Sequence, residues 1–197
     1  MGLHFHKDIN KNFWGEFTRS LYNGLSRQII VTRITQPLNT IRRIQVAVPS
    51  RAEFEPGFYR WLERLARMAG NLECRIVFHG RRESLQLITE FIRNRFPSVR
   101  AEYEEMYHWK ELPDLATRVK ADQLFVIVTA RKGTISYKSA MERLPEEVNH
   151  YFKGKTLMII FPDQYGNRMD DMTFAQPQHT EERSAYEAVR EWIHNKV

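Results

Sequence analysis

Apolar residues recur along this chain with two alternating periods, and the alternation predicts strand and helix in turn. Phe13, Phe17 and Leu21 return every four residues and Gly24 follows, which predicts a helix over 12–23. The β-branched run 28–33 predicts a buried strand that ends before Pro37, and 44–48 predicts a second strand stopped by Pro49. Phe54, Phe58, Trp61, Leu62 and Leu65 then form one helical stripe, closed at Gly70-Asn71. A strand at 75–78, a helix over 84–95 and a charged strand at 99–103 come next, the last with the look of a sheet edge. A short helical piece at 113–119 precedes the strongest apolar run, 124–129, which is followed by a helix over 139–152 and a strand at 156–160. Residues 163–178 read as loop, and Ala185, Val189, Trp192 and Ile193 as a closing amphipathic helix.

Strands alternating with helices argue for an α/β fold: a mainly parallel sheet of about five strands, covered on both faces. The leading helix and strand, 12–33 with a proline turn after it, have the order and size of 139–160 followed by Pro162. Residues 1–40 are therefore read as the tail end of a preceding repeat, 41–163 as a complete unit, and 164–197 as loop and C-terminal helix. The competing reading makes 12–33 an extra helix and strand added to one sheet.

Composition narrows the class. With 197 residues, 42% of them hydrophobic, the chain can bury one domain's core. A single cysteine, Cys74, excludes a disulfide-stapled fold. The apolar runs 124–130 and 157–162 fall far short of the roughly 20 residues of a spanning helix. The start shows neither a signal-peptide pattern nor a myristoylation motif. The net charge of +6 is unevenly spread, with +9 on residues 1–100 and −3 on the rest. Such a basic half suits an acidic partner, anionic lipid headgroups among them, and solvated helix faces are the plainer reading.

Two stretches, Gln36-Pro-Leu-Asn-Thr-Ile-Arg-Arg-Ile44 and Thr129-Ala-Arg-Lys-Gly-Thr-Ile-Ser-Tyr137, resemble the cytoplasmic C-terminal region of bacterial cation:proton antiporters, in which a membrane domain is followed by universal-stress-protein-like repeats. The resemblance covers roughly 12–165 and implies a Rossmann-like sandwich with strand order 3-2-1-4-5, counted from the strand at 44–48. It also implies a non-catalytic regulatory and assembly domain on the cytoplasmic face of the inner membrane. Its partners would be the antiporter's transmembrane domain in the same chain, a second copy in a homodimer, and the anionic membrane surface, with no nucleic acid. A free-standing nucleotide-binding stress protein is the alternative.

In such a sheet, ligands bind beyond the carboxyl ends of the strands, where the strand order reverses. That crevice is lined here by Pro49, Ser50 and the loop 130–136, so Ser50, Arg131, Lys132, Gly133 and Ser136 are the candidate anion or phosphate site. ATP-binding stress proteins keep a Gly-x-x-Gly loop, a second Gly-Ser or Gly-Thr pair and an acidic residue at the end of the first strand. This chain has Ala130 for the first glycine, Arg143-Leu144 for the pair and Pro49-Ser50 for the acid, so no cofactor is expected. His4 and His6 fall in a start that reads as disordered, the other five histidines are isolated, and no metal site is predicted. His79 reads as a structural histidine at the crevice edge, with pH sensing as its functional alternative. No nucleophile–base pair has the context of an enzyme site. Glu102, Glu104 and Glu105 read as edge-strand charges, and Tyr107, His108 and Trp109 as packing or subunit contact.

Overall fold

The computed structural model describes residues 2–4 and 27–164; the helices expected over 12–23 and near 185–193, and nearly all of the loop expected at 163–178, lie outside them. Seven strands form one sheet: β1 Gly2–His4, β2 Ile29–Arg33, β3 Arg43–Ala47, β4 Arg75–Gly80, β5 Ala101–Glu105, β6 Gln123–Val128 and β7 Thr156–Phe161. Four α-helices, α1 Phe58–Asn71, α2 Arg82–Arg95, α3 Leu112–Arg118 and α4 Leu144–Tyr151, lie among them in sequence. The order across the sheet is β1-β2-β7-β6-β3-β4-β5. From β5 to β7 this is the expected 3-2-1-4-5 arrangement, with every neighbouring pair parallel.

The extra strand joins that sheet directly. β2 runs antiparallel to β7, with Val31 opposite Ile159, and β1 runs parallel to β2. The inner pair is thus antiparallel and each outer pair, β1 with β2 and β6 with β7, is parallel, an arrangement with approximate two-fold symmetry about the β2–β7 seam. The stretch holding His4 is a strand, not the disordered start its polar sequence suggests, because β2 offers it an open edge.

Successive side chains on a strand point to opposite faces, and the described helices cover the two faces unequally. Ile44, Val46, Ile76, Phe78, Leu124 and Val126 are buried on one side, against α1 and α2. The other core gathers Ile29, Val31, Ala47, Phe125, Ile127, Leu157 and Ile159 under α3 and α4. Helices α1 and α2 have 14 residues each, about 21 Å at 1.5 Å per residue, which matches the strands. Helix α3 has 7 residues and α4 has 8, roughly half that length.

Two cations close the ends of the short helices. Lys155 Nζ donates to the carbonyls of Ala116 and Val119 at the end of α3, and Arg33 donates to Phe152 and Lys155 after α4. The carbonyls of Ala116 and Phe152 each take one backbone N–H, from Val119 and Lys155, and the cation adds a second donor at the negative end of the helix dipole. Burial lowers the pKa of both cations, the cost of placing them inside.

One expectation is corrected. The stripe that predicted a helix through Phe54 begins only at Phe58, and Phe54 sits in a single 3-10 turn, 65% exposed. Pro56 forces the preceding Glu55 into extended backbone, with ψ 134°, and so separates the turn from the helix. Gly57 follows because the chain passes against the loop after β7: a Cβ there would lie 2.5 Å from the backbone N and O of Asp163. Gly57→Ala is expected to destabilise the fold by about 1–3 kcal/mol, the usual cost of forcing atoms into a packed site. Urea denaturation checks it, and a variant as stable as the parent would show that the loop yields freely.

Candidate functional site

The strand order reverses between β3 and β6, and two loops meet at their carboxyl ends: 48–57 after β3 and 129–138 after β6. What joins them is Glu55. Its Oε1 accepts the backbone N–H of Ser136 at 3.0 Å and the Ser136 hydroxyl at 2.5 Å, with both residues buried. A backbone N–H and a serine hydroxyl converging on one oxygen are the donors a phosphate would use, and an internal carboxylate fills that place.

The five residues expected to form an anion site are therefore divided. Ser136 is bound to Glu55. Arg131 is buried, donates from Nη2 to the carbonyl of Arg27 at 2.8 Å and feels the charge of Asp163; burial outweighs that charge and lowers its pKa. Asp163 is in turn held by Arg60 Nη1 at 2.5 Å. Gly133 adopts φ +92°, a left-handed backbone that glycine tolerates, with nothing within 4 Å of where a Cβ would be. Lys132 points into solvent, its nearest acid Glu142 at 3.9 Å.

Ser50 faces a cavity. It lies with Arg81, Lys110, Lys138 and Ser139 on a crevice of about 440 Å³, whose remaining wall includes Tyr107, His108 and Trp109. The aromatic trio, expected as packing or subunit contact, is split: Trp109 packs against the core while Tyr107 is exposed. Glu111 fixes this segment by accepting the backbone N–H groups of Tyr107 and His108 at 3.1 and 2.7 Å. Lys110 and Lys138 have no carboxylate partner among the described residues.

His79 is not at this crevice. It belongs to a row of polar side chains on the half-covered face, running across four adjacent strands from β5 to β6. Glu104 Oε2 stands 3.4 Å from His79 Nδ1, His79 Nε2 is 2.7 Å from Gln45 Oε1, and Gln45 Nε2 donates to Gln123 Oε1 at 3.2 Å. His79, Gln45 and Gln123 are buried. Sequence reading missed the row because Gln45, His79 and Gln123 are far apart in sequence and come together only through strand register. The one visible signal was a glutamine inside the apolar run at 44–48 and another just before the run at 124–129.

Among the described residues no group of three or more His, Cys, Asp or Glu is placed to hold a metal ion, and no helix is long and apolar enough to cross a membrane. No protein-family model matches the chain, and neither does any curated protein. Among solved structures the fold is similar to the cytoplasmic domain of a prokaryotic cation chloride cotransporter, with a TM-score of 0.53 at 10% sequence identity. That likeness covers 86% of this chain, which spans 66% of the other's length. At such identity the shared property is the fold.

Burial pushes the His79 pKa below its ordinary value; Glu104 opposes the shift, while Arg118 and Arg43 add to it. Its charged form is therefore less welcome in the folded chain than in the unfolded one. The resulting stability is present above the unfolded value of ~6.5 and is lost as pH falls through the lower folded value. Stability measured by urea denaturation should fall from pH 7 to 5.5, and His79→Gln should flatten that slope. An unchanged slope in the variant would assign the dependence to other groups.

Proposed function

We propose that this chain is a non-catalytic regulatory and assembly domain of a cation:proton antiporter, placed on the cytoplasmic face of the inner membrane. The observation that carries the reading is the shared architecture with a transporter's cytoplasmic domain, over most of this chain. The filled switch point supports the non-catalytic part: the donors that would hold a phosphate are committed to Glu55. The seam supports the division of the chain. Within residues 1–40, β2 pairs with the unit 41–163 as the last strand of a preceding copy would, with β1 beside β2 as β6 is beside β7. The basic front half suits a position near anionic lipid, the transmembrane domain of the same chain is the first partner, and self-association as a homodimer is the second.

An antibody raised against this chain should find its antigen in the inner-membrane fraction at a mass well above 23.5 kDa. Everted vesicles carrying that protein should exchange cations for protons at a rate that changes when residues 41–163 are deleted. A 23.5 kDa antigen confined to the soluble fraction would overturn the proposal.

A second reading, a free-standing nucleotide-binding stress protein, draws on the crevice at Ser50, where Lys110 and Lys138 face a cavity of about 440 Å³. ATP at 100 times its dissociation constant would add about 2.7 kcal/mol to the stability. The first reading expects no thermal shift with ATP, AMP or cyclic nucleotides, and a saturable shift abolished by Lys138→Gln would favour the second.

A further inference from the structure

The half-covered face holds a second cavity, apart from the switch-point crevice. It has a volume of about 490 Å³, and its floor is formed by Gln45, His79, Gln123 and Phe125. This size lies within the range of small-molecule sites. The crossover from β5 to β6 leaves it open: α3 ends at Arg118, and the chain returns to the sheet through Val119, which is extended, and a turn in which Gln123 N–H donates to the Lys120 carbonyl.

Charge around the opening is one-sided. Five cationic side chains line it, Arg42, Arg43, Arg75, Arg118 and Lys120, against two acids, Glu104 and Asp122. Arg43 and Arg75 both reach the same carboxylate, Glu102, at 3.5 and 3.2 Å, so one negative charge serves two guanidinium groups. Arg42, Arg118 and Lys120 have no carboxylate partner among the described residues. Holding so many like charges around one concavity is unfavourable until an anion enters.

The floor adds directed donors. Gln45 Oε1 accepts from His79 Nε2, and this fixes the Gln45 amide so that its Nε2 donates to Gln123 Oε1. Each group passes its donor on to the next, and the row ends at the Gln123 amide nitrogen, whose N–H groups have no partner among the described residues. An open donor on a largely buried side chain, facing a cationic cavity, suits an acceptor-only, negatively charged group. We propose that this cavity binds a soluble small anion carrying a diphosphate-type group. The Gln123 amide donates to it, and Arg118 and Lys120, with Arg42 beside them, neutralise it. Guanidinium groups suit this role because their paired N–H donors match the oxygens of a phosphate.

Titration calorimetry of the whole chain with inorganic pyrophosphate, at 0.15 M potassium chloride, tests the proposal. The expected result is saturable binding of one pyrophosphate per chain, weakened at least tenfold in Arg118→Gln/Lys120→Gln, whose side chains are exposed and whose loss leaves the buried row intact. Gln123→Leu should weaken it too, with circular dichroism confirming that the variant is folded. Lys132→Gln/Arg82→Gln, which removes two exposed cations elsewhere, should leave it unchanged. Absence of saturable binding would overturn the site. So would equal weakening by both charge-removing pairs, because that marks attraction to net charge alone. Retention on phosphatidylglycerol vesicles that depends on Arg118 and Lys120, without pyrophosphate binding, would assign the surface to lipid and overturn the soluble ligand.

Discussion

A parallel sheet has two faces to shield from water, and the four helices among the described residues differ too much in length to shield both alike. Helices α1 and α2 run the length of the strands and bury Ile44, Val46, Ile76 and Phe78 on one side. Helices α3 and α4 are about half as long, and cover the apolar cluster around Phe125, Ile127 and Ile159. The strand ends they do not reach carry Arg43, Gln45, Arg75 and Gln123, residues that would be costly under a helix without partners. The unequal cover thus decides where polar side chains stand, where the open cavity forms and why cations gather on that side.

The same economy governs the loops. The short crossover to β6 needs Lys155 to satisfy its helix end from across the fold, and α4 needs Arg33 from β2. These bonds tie the added strand to the unit's own helices, so β2 is part of the core as well as of the sheet. Ile29 and Val31, each 1% exposed, are buried almost as fully as the apolar residues of β6.

Much of this was legible in the chain. Most strands announced themselves as β-branched or apolar runs, regular alternation with helices pointed to a mainly parallel sheet, and the order from β5 to β7 is the one the family resemblance implied. Other features depended on partners far away in sequence. Nothing local marks Gly2–His4 as a strand, because its pairing depends on the free edge of β2. Pro56 did carry the signal that ends the Phe54 stripe, and periodicity alone overrode it. Glu55 binds a residue 81 positions away, so its role as the occupant of the expected anion loop was hidden from any motif. Ser136 and Gly133 were singled out for the donors and backbone freedom they do possess; what no pattern showed was that the chain supplies its own acceptor.

That acceptor has a consequence in terms of competition. A carboxylate tethered to the same chain and held against its donors behaves as a ligand at high effective concentration, millimolar even for a loosely linked group and more for one held in place. Any free phosphate approaching the Ser136 loop must outbid a rival that never diffuses away. Displacing that rival would also leave a buried charge without its donors. The loop is in this sense permanently ligated, and by staying so it fastens the first half of the sheet to the second.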